Sequence, residues 1–353
     1  DVIIGNPPFL GGSKLRRELG DIYVEKLWAL YSDRIPGGSD LVCYWFEKTR
    51  SMIENGQVKR AGLLATQAIR MGANRRVLER INETGNIFWA QSNREWILNG
   101  ASVRVAMIGF DNGLEIVREL DGVPANKIAP GLTQGFDLSI VKSLDENSGL
   151  CFRSDEKGGP FDIDETTARS MLDASGNPNG RPNSDVVRPY YNARDITQSW
   201  QRTWIIDFGS NMSQEQAAQY EKPFEYVKRV VKPVRDVSRD NLTKEFWWLH
   251  RRPAPDMRNA VRDLKRFIVT PAVSRHRLFA WLNSTTIPDH RLQVIAREDD
   301  YFMGVLQSRA HEVWSLSTSS RHGVGNDFVY NITTCFETYP FPWPPGQEPP
   351  DDP

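Results

Sequence analysis

The first 112 residues alternate between segments with the apolar pattern of a buried strand and segments with the pattern of an amphipathic helix. Asp1–Ile4 and Ala61–Ala65 are short apolar runs, as expected for buried strands. Between them, the pair Ser39-Asp40 can cap a helix whose apolar residues recur at helical spacing, and Asn55-Gly56 ends it. A second helix is expected from about Asn74 to Glu83. This order is typical of an α/β layer with parallel strands.

Two further strands are expected at Asn86–Ala90 and Ser102–Phe110, and the alternation is lost beyond about residue 125. We therefore predict a first domain over residues 1–125 and a second, mixed α+β domain over residues 126–340. The tail, residues 341–353, is rich in proline and is expected to be extended with polyproline character. The chain begins directly with a strand, which suggests that it is a fragment lacking its natural N-terminal part.

Composition excludes several classes of protein. The chain has 353 residues, 39% of them hydrophobic and 25% charged, which excludes a disordered or membrane-embedded protein. No apolar run reaches the roughly 18 residues that a membrane span requires. Cys43, Cys151 and Cys335 are widely spaced and odd in number, which argues against a disulfide framework and favours a cytoplasmic location.

The near-zero net charge of −1 hides two segments of opposite sign. The segment Asp145–Asp185 contains nine acidic and four basic residues, together with a Gly/Asn/Pro-rich stretch, and is expected to be exposed and mobile. The block Lys222–Arg277 contains fifteen basic and six acidic residues. Since neutralisation of phosphates supplies most non-specific affinity for DNA, this block is the expected phosphate-contacting surface.

The motif with the clearest chemical meaning is Asn6-Pro7-Pro8-Phe9, directly after the first strand. An exocyclic amino nitrogen is a poor nucleophile because its lone pair is delocalised, and two hydrogen-bond acceptors on one side can localise that pair. The side-chain oxygen of Asn6 and the carbonyl of Pro7 can supply those acceptors. The two prolines stiffen the loop, and Phe9 offers a ring for stacking on a planar base. The alternative is an ordinary turn.

Asp1–Phe9 resembles the catalytic motif of the amino-group DNA methyltransferases, specifically the large adenine-specific, MmeI-like type found in restriction–modification enzymes. Four further segments resemble parts of that family: the helix after the catalytic loop, a late strand, a recurring segment of the target-recognition domain and the closing signature. They are Ser39–Phe46, Asn99–Val105, Arg188–Asp195, and Gly325-Asn326 followed by Thr333–Pro342.

The resemblance implies a partial Rossmann-like methyltransferase sheet followed by a target-recognition domain that binds double-stranded DNA. Such enzymes flip an adenine out of the duplex and transfer a methyl group from S-adenosylmethionine to its N6. Their glycine motif for the cofactor precedes the catalytic motif and has no counterpart here, so we expect this fragment alone to bind the cofactor poorly and not to methylate DNA. A nuclease domain upstream in the same polypeptide is possible within this family.

Several secondary sites have two interpretations each. Asp40 can face the cofactor or simply cap its helix. Gly11–Arg17 can order over bound DNA or remain a solvated loop, and Lys14, Arg16 and Arg17 are its candidate contacts. The other candidate DNA contacts lie in the basic block: Arg251, Arg252, Lys265, Arg266, Arg275 and Arg277. The alternative for the block is a solvated helix face, such as a helix over Asn259–Phe267.

The tryptophans of the second domain, Trp247 and Trp248 among them, can stack on displaced bases or pack in the core. The five histidines show no metal-ligand spacing, and no metal is expected.

Two alternatives to an adenine-N6 DNA methyltransferase remain open. Enzymes that methylate RNA bases or protein glutamine resemble it at the same Asn-Pro-Pro loop, since they solve the same problem of nitrogen nucleophilicity. A DNA-recognition module without its own catalysis is the other alternative. The long second domain with its basic block favours duplex DNA over a peptide loop.

Overall fold

The structure, a computed structural model, describes residues 1–98, 101–134, 141–322 and 327–348. The chain forms two compact units that divide between Val141 and Lys142, and we refer to them as unit 1 and unit 2. None of the helices in these ranges combines the length and the apolar character needed to cross a membrane. The predicted domain boundary at residues 125 and 126 stays a prediction, although Ile128 and Leu132 pack into the core of unit 1.

Unit 1 is built on one six-stranded sheet with the order β1-β2-β4-β3-β5-β6. Its strands are β1 (Val2–Gly5), β2 (Arg60–Thr66), β3 (Asn86–Leu98), β4 (Ala101–Asp111), β5 (Glu119–Leu120) and β6 (Val123–Pro124). Its α-helices are α1 (Leu15–Leu19), α2 (Asp21–Tyr31), α3 (Leu41–Glu54) and α4 (Arg76–Thr84).

The expectation of parallel strands is correct for β1 and β2 but wrong for the middle of the sheet. Strand β4 pairs antiparallel with both β2 and β3. The reason lies in the connection: β3 ends at Leu98 and β4 begins at Ala101, and two residues can join only antiparallel neighbours. Asn99 and Gly100, part of the Asn99–Val105 segment, lie outside the described residues. The result is a mixed sheet.

Helix α3 packs an apolar face against this sheet. Val42, Cys43 and Phe46 are all buried, and the ring of Phe46 stacks on Phe110 of β4 with centroids 5.8 Å apart. Full burial of one such phenylalanine contributes about 1.5–3 kcal/mol. The start of α3 is therefore fixed relative to the strand ends, which matters for the loop after β1.

Unit 2 contains three smaller sheets, with orders β14-β9-β10-β8, β13-β11-β15-β7 and β12-β17-β16. Its strands are β7 (Cys151–Arg153), β8 (Asp162–Ile163), β9 (Val187–Tyr191), β10 (Trp204–Ile206), β11 (Arg266–Pro271), β12 (Val273–Ser274), β13 (Ala280–Asn283), β14 (Ile287–Pro288), β15 (Leu292–Ile295), β16 (Ser320–His322) and β17 (Asp327–Val329). Its α-helices are α5 (Glu165–Leu172), α6 (Ala193–Thr197), α7 (Gln214–Ala218), α8 (Glu221–Val230), α9 (Lys232–Asp236), α10 (Asn241–Glu245), α11 (Pro255–Val261), α12 (Asp300–Gln307) and α13 (Arg309–Thr318).

Two expectations for this region are wrong. The acidic segment Asp145–Asp185 is folded: it supplies β7, β8 and α5, and its residues Phe161 and Ile163 lie in the core. Composition alone cannot reveal the buried positions between its charges, and one of the charged residues, Asp155, is itself buried. The suggested helix over Asn259–Phe267 ends at Val261, and Arg266 already begins β11, whose apolar run pairs with β13 and β15.

The proline-rich tail packs on unit 2 through its aromatic residues. Phe341 is buried and stacks on Phe302 of α12 with centroids 4.6 Å apart. The backbone N–H of Trp343 donates to the hydroxyl of Tyr301. From residue 341 to 348 the chain contains turns and irregular backbone, with no helix or strand in that described stretch.

Candidate catalytic loop and nucleic-acid interface

The Asn6–Phe9 segment follows immediately after β1, at the carboxyl end of a strand that pairs in parallel with β2. Asn6 is exposed, Pro7 is buried, Pro8 is exposed and Phe9 is half-buried. The carboxyl ends of parallel strands are where α/β sheets place their ligands. The structure thus presents the asparagine outward while the first proline anchors the loop.

The two acceptors that the chemistry requires are available. Among the described residues, neither the Asn6 side-chain oxygen nor the Pro7 carbonyl accepts a hydrogen bond. Neither oxygen is therefore engaged by another of these residues, and Asn6 is exposed to a ligand. This is the arrangement in which a bound amino group would find partners that are otherwise unpaired.

The loop is tied at its far end to the start of α3. The backbone N–H of Leu41 donates to the carbonyl of Leu10 at 2.9 Å, and the N–H of Gly12 donates to Asp40 Oδ1 at 2.8 Å. Gly12 has no room for a side chain, because a Cβ there would lie 1.7 Å from the carbonyl oxygen of Gly38. These contacts fix the end of the loop against the residues at the start of α3.

Asp40 therefore has a different structural role from the one expected. It occupies the N-cap position of α3, but its side chain makes no capping bond to the helix and instead holds Gly12. Its own backbone N–H donates to Asn74 Oδ1 at 2.7 Å. Asp40 is a positioning residue for the loop, and the predicted contact with a cofactor stays a prediction.

Behind the loop, a buried ion network joins α3 to α4. Glu47 is fully buried and accepts from Arg50 at 2.9 Å and from Arg80 at 3.0 Å. Burial opposes ionisation of Glu47, but the two guanidiniums outweigh it and hold the pKa of this carboxyl below its ordinary value. The apolar pattern of α3 did not point to this network, although Glu47 lies among its apolar residues.

The basic stretch after the loop is helical. Residues Gly12–Lys14 form a 3₁₀ turn that leads into α1, so of the two interpretations the loop is wrong in its backbone, although the basic side chains are exposed to solvent. Arg16 pairs with Asp21 at 2.8 Å and with Glu25 at 3.1 Å, and Arg17 pairs with its neighbour Glu18. Among the described residues, Lys14 has no ion-pair partner. Of the three candidate contacts, Lys14 is thus the most available to an anion.

In unit 2, Arg251 and Arg252 lie together on the surface. Their guanidiniums both contact Glu156, at 3.1 and 3.3 Å, and Arg251 also lies 3.4 Å from Asp240. The side chains remain 44% and 68% exposed. Exposed pairs of this kind are weak, so both arginines can exchange a carboxylate for a phosphate.

The remaining candidates differ in availability. Arg266 pairs with Asp300 and stacks on Trp281. Lys265 and Arg275 are exposed, and neither side chain has an ion pair within the described ranges. Arg277 is turned inward: its guanidinium donates to Thr270 Oγ1 and to the carbonyls of Pro271 and Phe328. A phosphate contact by Arg277 would require breaking these bonds.

Sequence reasoning also missed a second buried network in unit 2. Asp155 and Asp207 both pair with Arg258, and His250 Nδ1 lies 2.8 Å from Asp155 Oδ1. His250 Nε2 lies 3.0 Å from the carbonyl oxygen of Ile206. Since both ring nitrogens face acceptors, the protonated imidazole is placed to donate twice, and the two carboxylates raise its pKa above the ordinary value despite its burial. With His250 protonated, two anions and two cations neutralise one another inside unit 2.

Asp155, Asp207 and His250 are also close enough together to ligate a metal. The surrounding contacts argue against that use, because a metal needs a free ring nitrogen and carboxylate oxygens that are not occupied by a guanidinium. Here Arg258 takes up both carboxylates. We interpret the cluster as a structural ion network. Residue spacing carried no signal for it, since its members are far apart along the chain.

Comparison with known proteins assigns the chain to a family. A family model described as "MmeI, target recognition domain" matches residues 156–343, which is more than half of the chain. The chain belongs to this family.

One solved structure has a similar fold over most of the chain. The structure described as the type IIL restriction-modification enzyme MmeI in complex with DNA matches with a TM-score of 0.72 at 16% sequence identity, over 96% of this chain and 46% of that one. The chain thus spans about half the length of that protein. The type IIG restriction endonuclease BpuSI is matched over the same shares at 8% identity, with a TM-score of 0.31. No curated protein matches the chain.

Proposed function

We propose that the chain is the part of an MmeI-like restriction–modification enzyme that contains the catalytic loop of an adenine-N6 methyltransferase and a target-recognition domain for double-stranded DNA. The observation that supports this most strongly is the combination of two features in one chain. Residues 156–343 belong to the target-recognition family, and Asn6 and Pro7 offer uncommitted acceptors at the end of a parallel strand.

In this proposal the Asn6 side-chain oxygen and the Pro7 carbonyl accept the two N–H bonds of the target amino group. Two bonds on one side of the nitrogen draw its lone pair out of conjugation with the ring and direct it to the opposite side. Phe9 stacks on the flipped base, and Asp40, through Gly12, keeps the loop in place. A base without an N–H donor would leave both acceptors unpaired, which disfavours it.

The methyl donor in this proposal is S-adenosylmethionine, which supplies an electrophilic methyl group when bound. The described residues do not fit a full site for it: Asp40 is the one candidate contact, and one of its carboxylate oxygens is already engaged by Gly12. We therefore assign cofactor binding mainly to the rest of the intact enzyme. The chain alone is expected to show no methyl transfer.

The catalytic proposal is tested in the intact protein with Asn6→Ala. Since Asn6 is exposed and holds no fold contact, folding and duplex binding should be unchanged, while methyl transfer to adenine should fall by more than about 10²-fold, the scale for loss of one preorganised polar group. Asn55→Ala, an exposed asparagine after α3, is the control. Unchanged turnover in Asn6→Ala would refute the assignment. Normal duplex binding by a wild-type protein that methylates nothing would favour the alternative of a recognition module.

The DNA-binding surface is tested with Arg251→Gln combined with Arg252→Gln. Both side chains are exposed, so their removal should weaken binding to all duplexes alike and reduce the salt slope by about 0.9 for each phosphate that the variant no longer neutralises. Fluorescence anisotropy at several salt concentrations measures the slope. Arg309→Gln, an exposed arginine of α13 outside the basic block, is the control. A sequence-selective loss with an unaltered slope would instead assign these arginines to base readout.

A further inference from the structure

Unit 2 contains an open pocket of about 1000 Å³ that the proposed function leaves unexplained. It lies beside Arg251 and Arg252, between the segment before α7 and the residues of α10 and its C-terminal loop. Its volume is at the upper end of the range typical of small-molecule sites.

One wall of the pocket is apolar and aromatic. Phe246 is 43% exposed and contacts the buried ring of Trp248, with centroids 5.8 Å apart. Trp248 is held in place by a hydrogen bond from its indole N–H to the carbonyl of Met212 at 2.9 Å. Leu242, 67% exposed, lies on the same wall. A fixed tryptophan supporting an exposed phenylalanine is a ready surface for a planar ring.

The pocket is also lined by a buried arginine, Arg235, that has no carboxylate partner in the part of the chain that the structure describes. Arg235 lines the pocket and is 1% exposed. Its guanidinium donates to three carbonyl oxygens, those of Thr243, Lys157 and Leu249. Within the described ranges, no carboxylate lies within ion-pair distance of it, and its Nε has no acceptor. The guanidinium also lies over the ring of Phe161, 5.3 Å from its centroid, so protein groups hold this cation in place while its charge adds a positive potential to the pocket.

Three acidic residues also line the pocket, and two of them are engaged by neighbouring groups. Asp240 is engaged by Thr243 at the start of α10 and by Arg251. Glu215 lies at the start of α7, where backbone N–H groups hold its pKa below the ordinary value. Glu245 is exposed at the end of α10. The exposed Arg251 lies close enough to Arg235 to add to the positive potential.

We propose that this pocket binds one nucleotide unit, with its base against Phe246 and its phosphate toward the exposed guanidinium of Arg251, within the positive potential to which the buried Arg235 contributes. The inference deepens the proposed function and rests on it, because a target-recognition domain is the setting in which a nucleotide is the expected anion with a planar ring. The nucleotide is either an unstacked residue of bound DNA or a free mononucleotide, which share this chemistry.

The test is isothermal titration of the intact protein with deoxyadenosine monophosphate, deoxyadenosine and inorganic phosphate. The monophosphate should bind with one-to-one stoichiometry, and deoxyadenosine and phosphate should each bind at least about tenfold more weakly, since each lacks one half of the recognition. Phe246→Ala should weaken the monophosphate by about 5–150-fold, the range for loss of one base–aromatic stack. Trp343→Ala, an exposed aromatic residue outside the pocket, is the control. The outcome that overturns the proposal is no binding of the monophosphate, or binding that Phe246→Ala leaves unchanged.

A second experiment distinguishes an unstacked nucleotide of bound DNA from a free mononucleotide. It uses no variant of a core residue. Duplexes in which 2-aminopurine replaces successive bases report unstacking by fluorescence. If the source is DNA, one position should brighten on binding to the wild type and lose that signal with Phe246→Ala. If free nucleotide is the source, the duplex signals should be the same in both proteins. Absence of duplex binding by the wild type would refute the proposed function, whereas duplex binding without any pocket occupancy would refute only this inference.

Discussion

Both units contain a buried ion network, and the two networks differ in how their charges are arranged and how far they are exposed. In unit 1 a single carboxylate, Glu47, lies between two guanidiniums, and the side chain of one of them, Arg80, is 19% exposed. In unit 2 two carboxylates, Asp155 and Asp207, lie between Arg258 and His250, and the His250 side chain is fully buried. The first network extends to a second carboxylate, Glu54, which lies 2.9 Å from Arg50 and is 46% exposed. In the second network no side chain is more than 17% exposed.

The networks also differ in what they join. Glu47 and Arg50 are three residues apart on α3, and Arg80 adds α4, so the unit 1 network fastens one helix pair. The four members of the unit 2 network come from four separate segments. They are Asp155 after β7, Asp207 after β10, His250 after α10 and Arg258 in α11. Unit 2 has only small sheets, and this network ties segments that its sheets do not connect. We therefore expect unit 2 to depend more on its network than unit 1.

The sharpest test of this difference is Arg258→Met. Removing the guanidinium leaves two buried carboxylates facing each other, and breaking a buried pair in this way costs about 3–5 kcal/mol. Urea unfolding measures the decrease in stability, and hydrogen–deuterium exchange should localise it to unit 2. Arg262→Met, four residues further along and exposed, is the matched control and should change stability by less than about 0.5 kcal/mol.

A further variant asks whether charge balance is the cause. Combining Arg258→Met with Asp207→Asn removes a carboxylate that the single change leaves without its guanidinium and keeps the Asp155–His250 pair, so part of the lost stability should return. Equal stability of Arg258→Met and Arg262→Met would show that the unit 2 network is not needed.

In unit 1 the corresponding change, Glu47→Gln, should have a smaller effect. It leaves two cations without their shared anion, but Arg50 keeps its contact with Glu54 at 2.9 Å and Arg80 can reach water. A decrease of about 1–3 kcal/mol in stability is expected, in the range for unsatisfied buried groups. Glu54→Gln, whose side chain is 46% exposed, should cost well under about 1 kcal/mol. A larger decrease for Glu47→Gln than for Arg258→Met would reverse the comparison.

The features that the sequence could predict are those encoded by residues close together along the chain. Helix α3 was expected from the Ser39-Asp40 cap to Asn55-Gly56 and is observed over Leu41–Glu54, and the strand expected at Ala61–Ala65 is observed as β2. These elements are encoded by nearby residues. The placement of Asn6 after β1 was predictable for the same reason, since motif and strand are contiguous.

Longer-range features were not predictable from local patterns. The antiparallel pairing of β4 depends on which strands meet, and the role of Asp40 depends on Gly12, which lies 28 residues earlier. The basic block illustrates the same limit. Counting charges gives a strongly positive segment, but Arg235, Arg258 and Arg277 are engaged within unit 2, and Arg258 is neutralised by acids outside the block. A charge sum cannot distinguish an internal arginine from one that faces solvent.

The smallest expected effect is the pH dependence of stability. Two histidines of unit 2, His250 and His311, contribute to it in opposite directions. Burial alone would lower the pKa of His250, but Asp155 and Asp207 outweigh it and raise the pKa above the ordinary 6.5. His311 is buried with Nδ1 directed at the carbonyl of Leu306 and Nε2 facing the hydroxyl of Tyr330, and burial lowers its pKa to about 4.

The two histidines therefore change the stability of the fold with pH in opposite directions. His250 binds its proton more tightly when folded, so its stabilising contribution is complete below pH 6.5 and disappears as pH rises through the higher, folded pKa. His311 is neutral when folded, so stability declines as pH falls from about 6.5 toward 4. The NMR signal of the His250 ring should titrate above pH 6.5 and that of His311 near pH 4, with assignments from His250→Asn and His311→Gln. A neutral His250 at about pH 6 would mean that the unit 2 network is one positive charge short, and its balance could no longer explain the larger cost expected for Arg258→Met.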